Sequence, residues 1–249
     1  MFNRVFVRLV LVTLVLVLSV ACDANDRAYP WLNELGAGDL FPSGERLMAL
    51  GDGLHLLEQD RKATQMLVAV HGWHSRGYEW VHLLKTLDDA DTSVWFYRWD
   101  DDGCPGPAAG QLLEQLQANL TPDTAKIHLF GHSYGGLVLA DVLDRWPLTI
   151  PLDVHIVASP LASTSASDRC GYEIPATIAD NVRLFEWRTQ WQLDGAFKDM
   201  PQDPQIIELA GSQVMRLPGE YNGHRLGHNW SLSWVADHIA ANERHPLSR

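Results

Sequence analysis

Positive charge is scarce in this sequence. Its 249 residues include 19 lysines and arginines against 31 aspartates and glutamates, which gives a formal net charge of −12. Contacts with the phosphates of nucleic acid need a basic surface, so the composition argues against nucleic-acid binding. It also disfavours steering of a strongly anionic substrate by the field of the whole protein, although a local basic pocket stays compatible with it.

Internal repeats and low-complexity tracts are absent as well, which leaves an ordinary globular composition of 46% hydrophobic and 20% charged residues. Metal-binding patterns are also missing. The run Asp100–Asp102 lacks the ligand spacing of a calcium loop and is typical of a solvated acidic turn. No carboxylate completes an H-E-x-x-H pattern around the pairs His71/His74 or His224/His228. We predict neither a metal nor a cofactor.

Cysteine is rare, with three residues in the chain. Cys22 follows an apolar N-terminal run, and setting it aside leaves Cys104 and Cys170. In an oxidising compartment two such cysteines predict one disulfide, with two buried free thiols as the alternative.

The first 22 residues have the pattern of an export signal. Arg4 and Arg8 form a basic start, Leu9–Leu18 is apolar apart from one threonine, and small residues then lead to Cys22. This order of regions is typical of a secretory signal, and the apolar run is short for a membrane span.

The end of this signal resembles the lipobox of bacterial lipoproteins, in which the cysteine is lipidated and becomes the new N-terminus. The sequence departs from that pattern at Ser19, where leucine is usual, because Leu18 lies one place too early. The resemblance implies a lipid anchor at Cys22 on the periplasmic face of a bacterial membrane, with a soluble domain beyond it. Asp23 resembles an inner-membrane retention signal of some enteric lipoproteins, a rule that does not hold in every bacterium.

Residues 23–44 contain several glycines and prolines and are predicted to form a linker, followed by a single domain over residues 45–249. The short runs Arg46–Leu50 and Leu54–Gln59 flank Gly51–Gly53 and predict a β-hairpin.

Strand-like and helix-like segments then alternate, which predicts a mainly parallel, doubly wound α/β sheet of about eight strands. Predicted strands are Met66–His71, Ser93–Trp99, Lys126–Phe130, Val154–Ala158, Val182–Trp187 and Gln213–Leu217. Predicted helices are Tyr78–Leu87, Ala108–Leu120, Tyr134–Arg145 and Trp230–Asn242.

The strongest chemical signal is the segment Gly131–Gly136, GHSYGG, between a predicted strand and a predicted helix. It matches G-x-S-x-G, a tight strand-to-helix turn that lifts a serine hydroxyl to the carboxyl edge of a sheet. The neighbouring glycines are needed because the helix packs close to the strand. Ser133 is therefore the predicted nucleophile.

With this motif the chain resembles the α/β-hydrolase superfamily, in particular its bacterial lipase- and esterase-like branch, from the first predicted hairpin to the last helix. The resemblance implies an oxyanion hole made by the backbone N–H groups of Tyr134, which follows the nucleophile, and of Trp73, in the His71-Gly72-Trp73 loop.

The family order of serine, acid, then histidine places the base late in the chain. His228 precedes the last helix and is the predicted base, with His224 as the alternative. The acid is expected after the penultimate strand, where Asp194 stands before a glycine. Other candidates for the acid are Asp199, Asp203 and Asp168.

These residues predict a serine hydrolase that cleaves carboxylic esters through a Ser-His-Asp triad and an acyl-enzyme. Its expected partners are a small ester or lipid-like acyl substrate and a membrane surface. Since fold does not choose the acyl chemistry, an acyltransferase or an amide or thioester hydrolase acting on the cell envelope is an alternative. A further alternative is a non-catalytic lipoprotein of the cell envelope.

Overall fold

The protein is described from a computed structural model that covers residues 29–36, 40–58 and 62–244. The predicted export signal with Cys22 and part of the predicted linker lie outside the described residues. Among those described, no helix combines the length and the apolar character needed to cross a bilayer.

Seven strands form the central sheet in the order β1-β3-β2-β4-β5-β6-β7. β1 runs antiparallel to β3, and the remaining neighbours are parallel. The predicted fold class is confirmed, with seven strands in this sheet rather than about eight. The strands are β1 (Gly53–Leu56), β2 (Gln65–Val70), β3 (Thr92–Arg98), β4 (Lys126–His132), β5 (Leu152–Val157), β6 (Val182–Arg188) and β7 (Gln213–Arg216). A separate antiparallel pair consists of β8 (Glu220–Tyr221) and β9 (His224–Arg225).

Helices cover both faces of the sheet, as parallel strands require. The helices are α1 (Leu40–Met48), α2 (Tyr78–Thr86), α3 (Pro105–Asn119), α4 (Tyr134–Ala140), α5 (Thr164–Cys170) and α6 (Trp230–Arg244). One face is packed by α3 and α4, through buried residues such as Leu112 and Leu137. The other face is packed by α2 and α6, through buried residues such as Trp80 and Val235.

The hairpin predicted around Gly51–Gly53 is wrong. Its first arm is the end of α1, and β1 pairs with β3 instead. Ser43 and Leu47 are fully buried and lie four residues apart, so one stripe of α1 faces the core. Pro42 and Gly44 hide this helical spacing in the sequence.

The boundary predicted at residue 45 also needs correction, because α1 crosses it. Upstream, Leu32 and Leu35 are buried in the same core cluster as Trp80. The N–H of Leu32 donates to the carbonyl oxygen of Leu57 at 2.7 Å. The described part of the predicted linker is therefore packed against the domain.

A disulfide joins Cys104, just before α3, to Cys170, the last residue of α5, across 66 residues of chain. The α5 segment lies in the connection between β5 and β6, where no helix was among those predicted from the sequence. Arg169 donates from Nη2 to the carbonyl oxygen of Asp102 at 3.4 Å, close to the same junction. The β5–β6 connection is thus tied to the loop that follows β3.

Candidate active site

Ser133 stands between β4 and α4 with φ 53° and ψ −124°. A non-glycine residue rarely adopts a left-handed φ, and such strain persists only where the surrounding structure imposes it. The N–H of Ser133 is held by the carbonyl oxygen of Val157 at 2.9 Å. The serine therefore lies at the carboxyl edge of the sheet, directly before the N-terminus of a helix.

Close packing explains the glycine two residues after the serine. A Cβ at Gly135 would collide with the backbone oxygens of Val70 and His71 at the end of β2. The register pairs Val70 with Gly131, so β2 and β4 end side by side. α4 can start this close to β2 only because position 135 has no side chain.

His228 and Asp194 are joined at the same edge. Nδ1 of His228 lies 3.0 Å from the Asp194 carboxylate. Gly227, with φ 55°, turns the chain just before the histidine. A carboxylate on Nδ1 fixes the tautomer of an imidazole and leaves Nε2 to accept a proton.

Asp194 is fully buried and well supplied with hydrogen bonds. Burial alone would raise the pKa of Asp194, but the hydrogen bonds from His228, Thr189 and the Ala196 N–H lower that pKa on balance. Thr189 Oγ1 donates to Oδ2 at 2.6 Å, and Ala196 N–H donates to Oδ1 at 2.9 Å. The carboxylate is thus held charged and fixed in orientation.

Two buried rings frame the His228 imidazole, which is 17% exposed. Phe197 meets it edge-on at 5.1 Å between centroids, and His132 lies 4.6 Å away. Burial, with a smaller effect of the nearby His228, lowers the pKa of His132 to about 3. His132 is therefore neutral, and its Nε2–H donates to the carbonyl oxygen of His228 at 3.2 Å.

The loop after β2 lies against the serine turn. A Cβ at Gly72 would be 2.6 Å from the carbonyl oxygen of His132, 2.9 Å from Ser133 Cβ and 3.1 Å from the Tyr134 nitrogen. Trp73, the next residue, lines one small cavity together with Ser133. The two N–H groups predicted for an oxyanion hole therefore belong to segments in direct contact.

The acidic run predicted as a solvated turn holds this loop. Asp101 accepts a hydrogen bond from the His74 N–H at 2.5 Å, and Asp102 accepts one from Trp73 Nε1 at 3.1 Å. His74 has φ 53°, another strained non-glycine position. The Asp101 contact therefore stabilises a strained turn one residue beyond Trp73.

Ser133 and His228 line the same cavity, of about 90 Å³, together with Gly72, Trp73 and Glu79. A larger cavity of about 650 Å³ lies at the amino ends of the strands, where its lining includes Lys126 and Asp153. Because catalytic groups of open α/β sheets stand at the carboxyl ends of the strands, we assign the candidate site to the smaller cavity.

The other candidates for the base and the acid do not contact this pair. His224 is exposed and stacks on Trp230 at 5.5 Å. Asp199 and Asp168 are exposed, and Asp203 forms an ion pair with Arg216 at 2.8 Å. Among the described residues, none of these four forms a hydrogen bond or an ion pair with His228, whereas Asp194 does.

One cluster of possible metal ligands, His128, Asp153 and His155, occurs among the described residues, and the sequence reading missed it. Asp153 already binds Lys126 at 2.8 Å and the Arg183 guanidinium through two contacts. Trp187 Nε1 donates to His155 Nδ1 at 3.2 Å, which leaves the proton on Nε2 of a neutral ring. This arrangement fits an ion-pair network better than a metal site.

The sequence reading also missed Thr189, Asp101 and Glu79 as neighbours of the site. Asp101 carried a usable signal, because it follows β3, and the carboxyl ends of β2 and β3 meet at one edge. Thr189 likewise follows directly after β6. Glu79, in the first turn of α2, carried no comparable signal.

Comparisons with known proteins concern the fold and the family of the chain. Methylesterase 3 from Arabidopsis thaliana is 29% identical in an alignment of 169 residues that covers 64% of this chain, and the chain spans 60% of the length of that relative. Est1E from Butyrivibrio proteoclasticus has a TM-score of 0.52 at 13% identity, over 79% of this chain and 93% of that one. A candidate thioesterase from a Silicibacter species has a TM-score of 0.54 at 17% identity. The match covers 83% of this chain and 93% of that one.

At such identities the two solved structures show a shared fold alone. The family model described as "Alpha/beta hydrolase family" matches residues 67–241. That range contains the serine turn and the segments bearing Asp194 and His228. The chain belongs to the alpha/beta hydrolase family.

Proposed function

We propose that this protein hydrolyses small carboxylic esters, with Ser133 as nucleophile, His228 as base and Asp194 as the acid that orients it. The observation that carries the proposal is the shared cavity. Ser133, in a strained backbone conformation, and His228, bound through Nδ1 to a buried carboxylate, line the same cavity. Nucleophile, base and orienting acid in this arrangement are the parts that acyl transfer needs.

In the proposed reaction His228 Nε2 takes the proton of the Ser133 hydroxyl as its oxygen attacks the ester carbonyl carbon. The oxyanion forms between the N–H groups of Trp73 and Tyr134. When the bond to the alcohol breaks, His228 returns the proton to the leaving oxygen. Water then attacks the acyl-enzyme with the same base, and the acid leaves as Ser133 regains its proton.

The size of the cavity and the curated relative point to the substrate class. A space of about 90 Å³ is small beside the roughly 300–1,000 Å³ typical of ligand pockets, which favours a short acyl or alcohol group. The relative from Arabidopsis is named a methylesterase, which suggests esters with a small alcohol part.

A fluorophosphonate probe tests the proposal, because it reacts only with an activated serine. We expect labelling of the wild-type protein, no labelling of Ser133→Ala and strongly reduced labelling of His228→Ala. His224→Ala is the matched control and should label normally. Hydrolysis of p-nitrophenyl acetate should follow the same order. Labelling that persists in Ser133→Ala would refute the assignment.

We also propose that the protein is exported and anchored by lipid at Cys22. The support is the sequence pattern of residues 1–22, which lie outside the described residues. Cys22→Ala should move the protein from the membrane fraction to the soluble fraction of the producing bacterium and abolish incorporation of labelled palmitate. Equal membrane association of both forms, with no label in either, would contradict the proposal.

A further inference from the structure

The candidate active-site cavity contains a carboxylate that the proposed reaction does not use. Glu79 is the second residue of α2 and lines the cavity with Ser133 and His228. Its exposed fraction is 6%. Glutamate is almost never buried without a partner, so this position calls for a physical reason.

The hydrogen bonds of the Glu79 carboxylate are incomplete. Ser75 Oγ donates to Oε1 at 2.5 Å, and the same oxygen of Ser75 accepts from the Gly77 N–H at 3.2 Å. Oε2 is buried and has no hydrogen-bond partner among the residues that the structure describes. A buried acceptor in this state is unfavourable until a donor reaches it, more so when it is charged.

The nearby basic groups are directed elsewhere. The Arg76 guanidinium lies over the rings of Phe41 and Tyr78, at 5.3 and 5.8 Å from their centroids. Nδ1 of His228 is bound to Asp194. Within the described chain, neither group forms an ion pair with Glu79, which leaves Oε2 available to a donor from outside it.

We propose that Glu79 is a specificity-determining residue whose Oε2 receives a hydrogen bond from a cationic N–H group on the ester substrate. This inference rests on the proposed function. A buried carboxylate favours a cationic donor over a neutral one, because burying a charge is costly unless an opposite charge pairs with it. The same charge repels anionic substrates, and the net charge of −12 acts in the same direction.

Two pairs of nearly isosteric esters test the inference at pH 7. The acyl part is varied with methyl 3-aminopropanoate against methyl butanoate. The alcohol part is varied with 2-(dimethylamino)ethyl acetate against 3-methylbutyl acetate. We expect the wild-type kcat/KM to favour the ammonium member of at least one pair by about ten-fold or more, the range expected of a hydrogen bond to a charged group.

Glu79→Gln keeps the shape and the acceptor for Ser75 but removes the charge. It should reduce the ratio of kcat/KM within that pair to about one, whereas Glu79→Asp, which keeps the charge, should retain a preference. Glu114→Gln changes an exposed glutamate of α3 in the same way and should leave the ratio at its wild-type value.

Several outcomes would overturn the inference. A wild-type ratio near one in both pairs would do so without any variant. The inference would also be overturned if Glu79→Gln slowed the hydrolysis of all four esters equally and gave a burst of p-nitrophenol from p-nitrophenyl acetate. Glu79 would then act on the water of deacylation. If the wild-type protein hydrolyses none of the esters and resists the fluorophosphonate probe, the proposed function itself fails.

Discussion

Nδ1 of His228 lies 3.0 Å from the carboxylate of Asp194, a residue 34 positions earlier in the chain. The carboxylate is fully buried and also receives hydrogen bonds from Thr189 and the Ala196 N–H. Because Phe197 and His132 border the imidazole, its ring is held by contacts on several sides. The pair is therefore pre-organised before any substrate arrives.

The Asp194 carboxylate should be essential for turnover. Asp194→Asn keeps the size of the side chain but no longer fixes the His228 tautomer, so we expect kcat for p-nitrophenyl acetate to fall by about 10⁴-fold, as in other triads. Asp199→Asn, at an exposed candidate for the same role, should keep the wild-type kcat. If Asp199→Asn lost activity and Asp194→Asn kept it, Asp199 would be the residue that orients His228.

Asp101 should support catalysis by holding the loop after β2. Asp101→Ala removes the acceptor of the His74 N–H, so the Trp73 N–H loses its fixed position, and we expect kcat to fall roughly ten-fold with a small change in KM. Asp101→Asn retains an acceptor oxygen and should restore most of the activity.

Asp123→Ala, in an exposed turn, is the matched control for Asp101→Ala and should behave as wild type. Thermal unfolding of each variant should be recorded beside the kinetics. If Asp101→Ala lowers activity only in proportion to the fraction of unfolded protein, a positioning role is excluded.

Gly72 should tolerate no side chain. Gly72→Ala would place a Cβ 2.6 Å from the carbonyl oxygen of His132 and 2.9 Å from Ser133 Cβ, so the loop or the serine turn must shift. We expect a loss of probe labelling together with a destabilisation of about 1–3 kcal/mol, measured by urea unfolding. Gly110→Ala, in α3, meets no atom within 4 Å and should stabilise the protein by about 0.5–1 kcal/mol.

Buried neutral histidines should make the protein sensitive to acid. Burial lowers the pKa of His155 and His132 to about 3, and that of His71 and His128 to about 4. An unfolded histidine titrates near 6.5. Below that pH the unfolded chain binds more protons, so this contribution to stability is complete above about pH 6.5 and is lost as the pH falls towards 4.

Each such histidine should lower the free energy of unfolding by about 1.4 kcal/mol per pH unit within that window. Urea unfolding at several pH values between 7 and 5 measures the slope. His155→Phe keeps the stack between Phe130 and Phe185 and should reduce the slope by about one proton. A flat dependence in the wild-type protein would contradict the expected burial of these rings.

Much of the fold could be predicted from local patterns. The continuous apolar run before His71 predicts a strand buried on both faces, and β2 is that strand. The α1 helix could not be predicted in the same way. Its glycine and proline are typical of a linker, and its helical spacing becomes meaningful only once α2 provides a surface that buries Leu47.

The candidate site likewise combines a feature that local sequence predicts with one that it does not. The serine turn is a local feature, because the strand, the glycines and the helix adjoin in sequence. Ser133 could therefore be predicted without knowing which residues contact it in the fold. The acid could not be chosen this way, since Asp194, Asp199 and Asp203 all lie in the same connection after β6, which ends at Arg188. Only the folded chain buries Asp194 beside His228, exposes Asp199 and pairs Asp203 with Arg216.

Local sequence patterns and composition are enough to predict the alternation of strands and helices, the sharp turn at Ser133 and the excess of negative charge, because each depends on neighbouring residues or on composition. Only the folded chain shows which carboxylate contacts His228, that Asp101 holds the loop after β2, and that Glu79 is buried at the cavity that Ser133 lines. Those outcomes depend on contacts between segments far apart in the chain, and such contacts are fixed by how the helices pack on the sheet.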